Sequence, residues 1–343
     1  MRRFRLASLV LIVALGAALA INGVALAQQP VQFTSYRVES LPLDPASPVW
    51  PSVKAYPVSL TAQTLALPRQ STISIPTVRV RSVNDGQKIA FHLEWFDATR
   101  NARATQPDEF RDAAALMFPL GDVLPNICMG TPGQMTNIWH WKADWQEDID
   151  KGFQDIVDSY PNFFKDSYPF VTGRAPFRMP ADFAAPDAKA YFPGMAAGNP
   201  LSTILHVSPV EEVVSIGFGT LTHKAAQAVD GKGIWKDSQW QVTFSRQLAA
   251  PDPEGANLTV RDIPVAFAVW DGANQEVGAR KQLSNYVTTR ISADPLVAAA
   301  ATPASPREMP PWQGVLILAL VIPVAAGGIG WWARWQSVNR RGN

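Results

Sequence analysis

The sequence predicts an all-β protein: an antiparallel β-sandwich domain with short helices and loops, followed by one carboxyl-terminal transmembrane helix. Three observations predict it. Alternating apolar and polar runs recur between turn signals, as in Thr77–Val83 and Lys88–Phe96 on either side of Asn84-Asp85-Gly86, a hairpin pattern. The 29 prolines and 22 glycines are spread without a repeat period, which suits many turns between short strands better than helices. Residues 312–335 carry a single charge, Arg334, at the far end. As a helix this run would extend about 36 Å at ~1.5 Å per residue, enough for a ~30 Å hydrocarbon core.

Taken in order, residues 1–27 have a basic start (Arg2, Arg3, Arg5), an apolar run and an Ala25-Leu26-Ala27 site, the layout of an export signal peptide. Arg2-Arg3 leaves both general and twin-arginine export open. Residues 28–294 form the main domain, since all-β units reach roughly 200–250 residues as one core. Pro30 to Pro68 reads as extended backbone with isolated strands. His92, between Phe91 and Leu93 on the second hairpin strand, faces away from both and is expected to be solvated or partner-facing. Trp145–Pro169 suggests one or two short surface helices, and 170–209 a long functional loop. Glu212–Thr222, Gln239–Arg246 and Ile263–Trp270 are further strands, completing a sandwich. Residues 295–311 are an Ala/Pro-rich tether. Trp312 on one side of 312–335, and Trp331, Trp332 and Trp335 on the other, are placed as interfacial anchors. Arg334, Arg340 and Arg341 put the 336–343 tail in the cytoplasm and the main domain on the extracytoplasmic (periplasmic or outer) side of the cell membrane.

The net charge of +1 draws the chain to neither nucleic acid nor acidic substrates. A single cysteine excludes a disulfide framework and four-cysteine zinc or iron–sulfur sites, and no Cys-x-x-Cys-His exists for covalent haem attachment. There is no Gly-x-Ser-x-Gly and no His-Glu-x-x-His, and Glu211-Glu212 abuts a strand without a matching carboxylate, so no enzymatic role is expected of this chain alone.

Residues 110–142 concentrate the chemistry. They hold the only cysteine, three of seven methionines, one of four histidines and two of twelve tryptophans. Sulfur and imidazole beside flat rings suit a haem or a soft metal. A Trp- and Met-rich core corner is the plainer alternative. In strand geometry Trp139 and Trp141 share one face, and His140 and Lys142 the other.

Phe110-Arg-Asp-Ala-Ala-Ala-Leu-Met-Phe-Pro119, Cys128-Met-Gly130, Asn137-Ile-Trp-His-Trp-Lys-Ala143, and Phe267-Ala-Val-Trp-Asp-Gly272 leading to Gly278-Ala-Arg-Lys281 resemble the haem b-binding subunits related to the γ subunit of ethylbenzene dehydrogenase. Those subunits serve type II members of the dimethyl sulfoxide reductase group of molybdenum enzymes. The resemblance covers roughly residues 75–290, and its most specific part is the Asn137–Ala143 string. It implies haem b held by Met129 and Lys281 in a cytochrome b subunit; the carboxyl-terminal anchor read above is a departure from the soluble γ subunit and makes the expected subunit membrane-anchored. Such a subunit passes electrons between the iron–sulfur subunit of a complex that also holds a molybdopterin subunit and a soluble cytochrome or quinone carrier. A lysine ligates only as the neutral amine, which requires a desolvated site or the metal itself to lower its pKa. His140 is then a second-sphere or propionate-facing group, Lys142 and Arg280 are candidate propionate partners, and Trp139, Trp141 and Trp270 are candidate pocket walls. Met117, Met135 and Cys128 are alternative ligands.

Two other readings compete. A surface-anchored binding module, for carbohydrate or another ligand, would use the tryptophans for stacking. A copper electron-transfer site would use Cys128 with a methionine and two histidines, although the next histidine, His140, is twelve positions on.

Overall fold

The computed structural model describes residues 32–160, 162, 193–203 and 205–296. Its strands are β1 (Gln32–Arg37), β2 (Tyr56–Ser59), β3 (Thr61–Ala62), β4 (Thr77–Asn84), β5 (Lys88–Phe96), β6 (Ala113–Pro119), β7 (Thr136–Lys142), β8 (Val210–Ser215), β9 (Thr222–His223), β10 (Asp230–Lys236), β11 (Gln239–Gln247), β12 (Asp262–Trp270), β13 (Gln282–Leu283) and β14 (Val287–Pro295). Short helices include α1 (Val49–Ser52) and α2 (Ala143–Lys151). The hairpin forms between β4 and β5, closed by Asp85 Oδ1 accepting from the amides of Gln87 and Lys88 at 2.8 and 2.7 Å.

The strands run β10-β11-β5-β4-β1-β14-β12-β6-β7-β8-β9. β12 joins the two halves of this path: Asp262–Val265 pair with β14 and Ala266–Trp270 pair with β6. The inner faces of the halves meet in one core. There Phe91 packs on Trp139 (6.1 Å between ring centroids), Trp95 on Trp141 (6.4 Å) and Trp141 on Trp240 (4.9 Å). Each such buried ring contributes roughly 1.5–3 kcal/mol by leaving water. The fit is close enough that a Cβ on Gly233 would lie 2.3 Å from the Trp141 ring.

This architecture corrects the expected fold class in two respects. The sandwich is mixed, because β1 runs parallel to both β14 and β4. And among the described residues no helix is long and apolar enough to cross a membrane. The single-pass topology and the membrane localisation built on it therefore gain no spanning element. The 312–335 run on which they rested lies outside the described residues, as do the 1–27 signal, the 336–343 tail, and most of the 295–311 tether and the 170–209 loop.

His92 is also corrected. Its side chain is fully buried and stacks on Trp50 of α1 at 4.7 Å, and burial lowers its pKa to about 4. A histidine depressed in the folded state is protonated more readily when unfolded, so it removes stability as pH falls from the ordinary histidine range towards 4. The expected loss is roughly 3 kcal/mol. Denaturant unfolding at pH 7 and pH 4.5 should show it, and His92→Phe should flatten that part of the profile; an unchanged acid slope in the variant would refute the assignment.

Candidate functional site

The pairing register across β12, β6, β7 and β8 sets what faces outward on that half of the sandwich. Ala268, Ala115, His140 and Glu211 form one row, and Ala266, Met117, Ile138 and Val213 the next. Small alanines leave a shallow floor. Over it lies a partly open cavity of about 170 Å³, walled by Met117, Ile138, His140, Met129, Phe218, Leu221, Trp270 and Lys281. A largely apolar concavity with a few convergent polar groups is the lining expected of a small-ligand or cofactor site.

Met129 and Lys281 arrive from loops far apart in the chain. The Asn126 carboxamide accepts from the Cys128 amide at 2.8 Å and the Asn126 carbonyl from the Gly130 amide at 2.9 Å, folding Asn126–Gly130 into a turn that lifts Met129. Met129 has φ +69°, a left-handed conformation that a non-glycine residue adopts at a cost, and such strain clusters at functional sites. Gly130 continues it at φ +92°, where a Cβ would strike the Gln134 carbonyl at 2.5 Å. Lys281 follows the turn after β12. There Glu276 accepts from the Asp271 amide at 2.8 Å, and the Trp270 indole donates to the Gly278 carbonyl at 3.1 Å. The Lys281 carbonyl is fixed in turn by the Gln63 amide at 3.0 Å.

Lys281 Nζ lies 3.9 Å from Met129 Sδ and 4.9 Å from the centre of the Trp270 ring. The lysine is 9% exposed and Met129 8% exposed. No carboxylate pairs with Lys281 among the described residues, and burial lowers its pKa to about 8. A buried amine without a counter-ion is costly unless something else uses it, which marks a functional site.

The remaining sequence-predicted residues divide. His140 and Trp270 line the cavity and pack together, tilted by 31° with ring centroids 4.8 Å apart, and Met117 lines it too. Burial holds His140 well below its ordinary pKa, with Lys142, Arg111 and Lys281 adding to the effect. Trp139 and Trp141 face the inner core instead. Lys142 is buried against Glu211 and lies 3.7 Å over the Trp145 ring. Arg280 is half-buried and lines neither this cavity nor its neighbour. Cys128 is half-buried beside Met129, with its thiol pKa raised by burial, and Met135 is 36% exposed outside the wall. Sequence reasoning did not find Phe218 and Leu221 as pocket walls; the flanking Gly217 and Gly219 were the available signal.

Among the described residues one group of three or more histidine, cysteine or carboxylate side chains is close enough to share an ion: Asp97, Asp112 and Asp271, with oxygens within 4.8 Å. It contains no histidine or cysteine, so among the described residues neither the copper set of Cys128 with two histidines nor any other histidine-based metal cluster is assembled. Burial raises Asp97 and Asp112 above the ordinary carboxylate range, to about 6 and about 8, with the Asp271 charge adding to the first and the Asp97 charge to the second. Asp112 accepts from the Gly272 and Asn101 amides and the Trp240 indole, tying three segments together. The folded pair binds more protons than the unfolded chain above the ordinary carboxylate range, so it removes stability as pH rises through that window. Asp97→Asn, donating to Asp112, should add about 1 kcal/mol at pH 8 and little at pH 4. A large shift of melting temperature with calcium or a chelator would instead mean that the trio holds a cation.

Without a spanning helix among the described residues or a histidine-based metal site, the expected membrane-anchored, extracytoplasmic cytochrome b function is corrected to what the family supports. The ethylbenzene dehydrogenase family model matches residues 47–282. The chain is 26% identical over 254 residues to a proposed respiratory nitrate reductase heme subunit, ORF7, of Haloferax mediterranei, covering 74% of this chain and 69% of that one. It is 26% identical over 239 residues to the chlorate reductase subunit gamma of Ideonella dechloratans, covering 68% and 74%. It is 25% identical over 269 residues to the dimethylsulfide dehydrogenase subunit gamma of Rhodovulum sulfidophilum, covering 74% and 77%. Among solved structures, a family 9 carbohydrate-binding module from Caldicellulosiruptor kristjanssonii with cellotriose aligns with 80% of this chain and 100% of its own, at TM-score 0.35 and 9% identity. A carbohydrate-binding protein candidate from Bacteroides uniformis aligns with 77% and 99%, at TM-score 0.37 and 9% identity. Nothing about ligand follows at that distance. The match over more than two thirds of its length shows that this chain belongs to the ethylbenzene dehydrogenase family, the family of γ subunits of dimethyl sulfoxide reductase-type enzymes.

Proposed function

We propose that this chain is a non-catalytic haem-carrying subunit, with Met129 and Lys281 as the axial pair, working in a complex of the kind its relatives belong to. The observation that carries the reading is the approach of an unpaired, buried lysine amine to a thioether at 3.9 Å inside an apolar cavity. Burial already favours the neutral amine that a metal requires. Bound there, haem would supply one-electron chemistry, and a thioether ligand would favour its ferrous state.

The protein's own contribution is to hold both donors before the cofactor arrives, with the buried Trp270 ring walling them from one side. Relatives named as subunits of nitrate reductase, chlorate reductase and dimethylsulfide dehydrogenase support partners of the iron–sulfur and molybdopterin type; a cytochrome or quinone carrier rests on the family resemblance alone. The experiment is titration of the full-length apoprotein with ferric protoporphyrin IX. A saturable six-coordinate low-spin spectrum at one haem per chain, and a b-type pyridine haemochrome, are expected; a spectrum identical to free haem would end the proposal.

A second reading, a β-sandwich binding module for another ligand, is favoured by Phe218, 47% exposed at the cavity, and Trp270 on its wall, which offer ring faces for stacking. Calorimetric binding of a soluble glucan by a protein that leaves haem unbound would select it.

A further inference from the structure

A second, partly open cavity of about 120 Å³ adjoins the first along His140, Trp270 and Gly278, which line both. Its chemistry differs. Arg111 lines it, and only Nη1 of that guanidinium is engaged, donating to Asp144 at 2.6 Å; Nε and Nη2 have no partner among the described residues. Nε2 of His140 is sealed from solvent and has no hydrogen-bond partner. The cavity's two carboxylates are turned to other donors: Glu109 to the amides of Thr105 and Gln106, and Glu276 to Asp271 N and the carboxamides of Gln70 and Gln282.

We propose that this adjoining cavity is the carboxylate subsite of the pocket, in which Arg111 and His140 Nε2 take the acidic edge of a planar amphipathic ligand whose hydrocarbon edge lies among the aliphatic walls. The inference rests on the haem reading and deepens it, haem being a ligand with one dicarboxylate edge. A buried nitrogen without a partner is costly, so a ligand oxygen that reaches it gains the full difference. A guanidinium with a free edge suits a carboxylate better than an ammonium does. Lys142, the sequence-level candidate for this role, is already committed to Glu211, which leaves Arg111 as the cation beside His140.

The test compares two probes on the full-length apoprotein: ferric protoporphyrin IX and its dimethyl ester, followed by the Soret band and tryptophan quenching. Wild-type protein should bind the diacid about tenfold more tightly than the ester, the worth of one net charge-assisted contact. Arg111→Gln should bring that ratio close to one, and Arg111→Lys should restore part of it. His140→Phe should lower the ratio while leaving the low-spin spectrum, and Asp144→Asn, which frees the whole guanidinium, should raise it. Equal binding of diacid and ester by wild type, with low-spin spectra for both, would overturn the subsite and leave the haem reading standing. A ratio unmoved by Arg111→Gln would overturn it equally. Binding of neither porphyrin would defeat both.

Discussion

Replacing Lys281 with leucine is expected to stabilise the apoprotein by roughly 2–3 kcal/mol at pH 7 while abolishing six-coordinate haem binding. Opposite signs on the two readouts distinguish a ligand from a structural residue. In the folded chain burial lowers this lysine's pKa to about 8, against its ordinary value of 10.5. Below pH 8 the amine is charged in both states, and the folded state bears the whole desolvation cost. As pH rises from 8 to 10.5 the folded amine loses its proton first, so wild-type stability should climb across that window. The leucine variant should be flat there. Burial by neighbours is the largest cause, and only the Cys128 thiol, when ionised, opposes it. Met129→Leu, by contrast, removes a polarisable donor without a charge and should change apoprotein stability little, while the haem spectrum becomes high-spin. A Lys281→Leu protein that unfolds more easily at pH 7 than wild type would mean the lysine is held by an interaction that outweighs its burial. A retained low-spin spectrum would mean another residue takes the iron.

Much of this was legible in the chain because the period of a strand is two. Trp139 and Trp141 fall on the inner face and His140 on the outer one by alternation alone, and the β4–β5 hairpin follows from its Asn84-Asp85-Gly86 turn. The mixed character was not legible. β1 is six residues long and finds its parallel neighbours near Ser82 and Thr288, pairings that no local pattern announces. His92 was misread for the same reason: alternation shows that it points away from Phe91, but not that Trp50 covers it from outside. Lys281, taken alone, reads as a solvated loop residue beside Arg280. Only its family motif singled it out, because the cavity that surrounds it is assembled from β6, β7, β12 and three separate loops. Glu211 and Glu212 read as paired carboxylates abutting a strand without a matching partner, whereas the strand sends one to each side of the sheet. Glu211 meets Lys142 on the pocket side, and Glu212 is fully buried on the other.

The inward carboxylate carries the second large effect. Glu212 lies opposite Trp139 in the ladder and accepts from Lys224 at 3.0 Å, Arg246 at 3.2 Å, Asn137 at 3.1 Å and the Ala228 amide at 3.1 Å. Both cations are almost wholly buried, and the Arg246 guanidinium sits 4.9 Å over the Trp139 ring. Glu212→Gln keeps the shape but leaves two buried cations with Asp252, 3.2 Å from Lys224, as the remaining acid. Breaking such a group by removing one partner typically costs about 3–5 kcal/mol, much of it from stranding the opposite charge. The expected result is a loss of that size in denaturant unfolding, with haem affinity of the folded fraction unchanged, since the network lies on the face turned from the pocket. Replacing Glu212, Lys224 and Arg246 together by leucine, methionine and methionine should recover most of the loss, because no charge is then left unpaired. If the single variant were as stable as wild type, the network would be solvated in a way its burial contradicts. If the triple variant were no better than the single one, the ion group would be holding the sheet through geometry and not through charge balance, and Asn137, which donates to Glu212 and accepts from Arg246 and Ala256, would be the next residue to change.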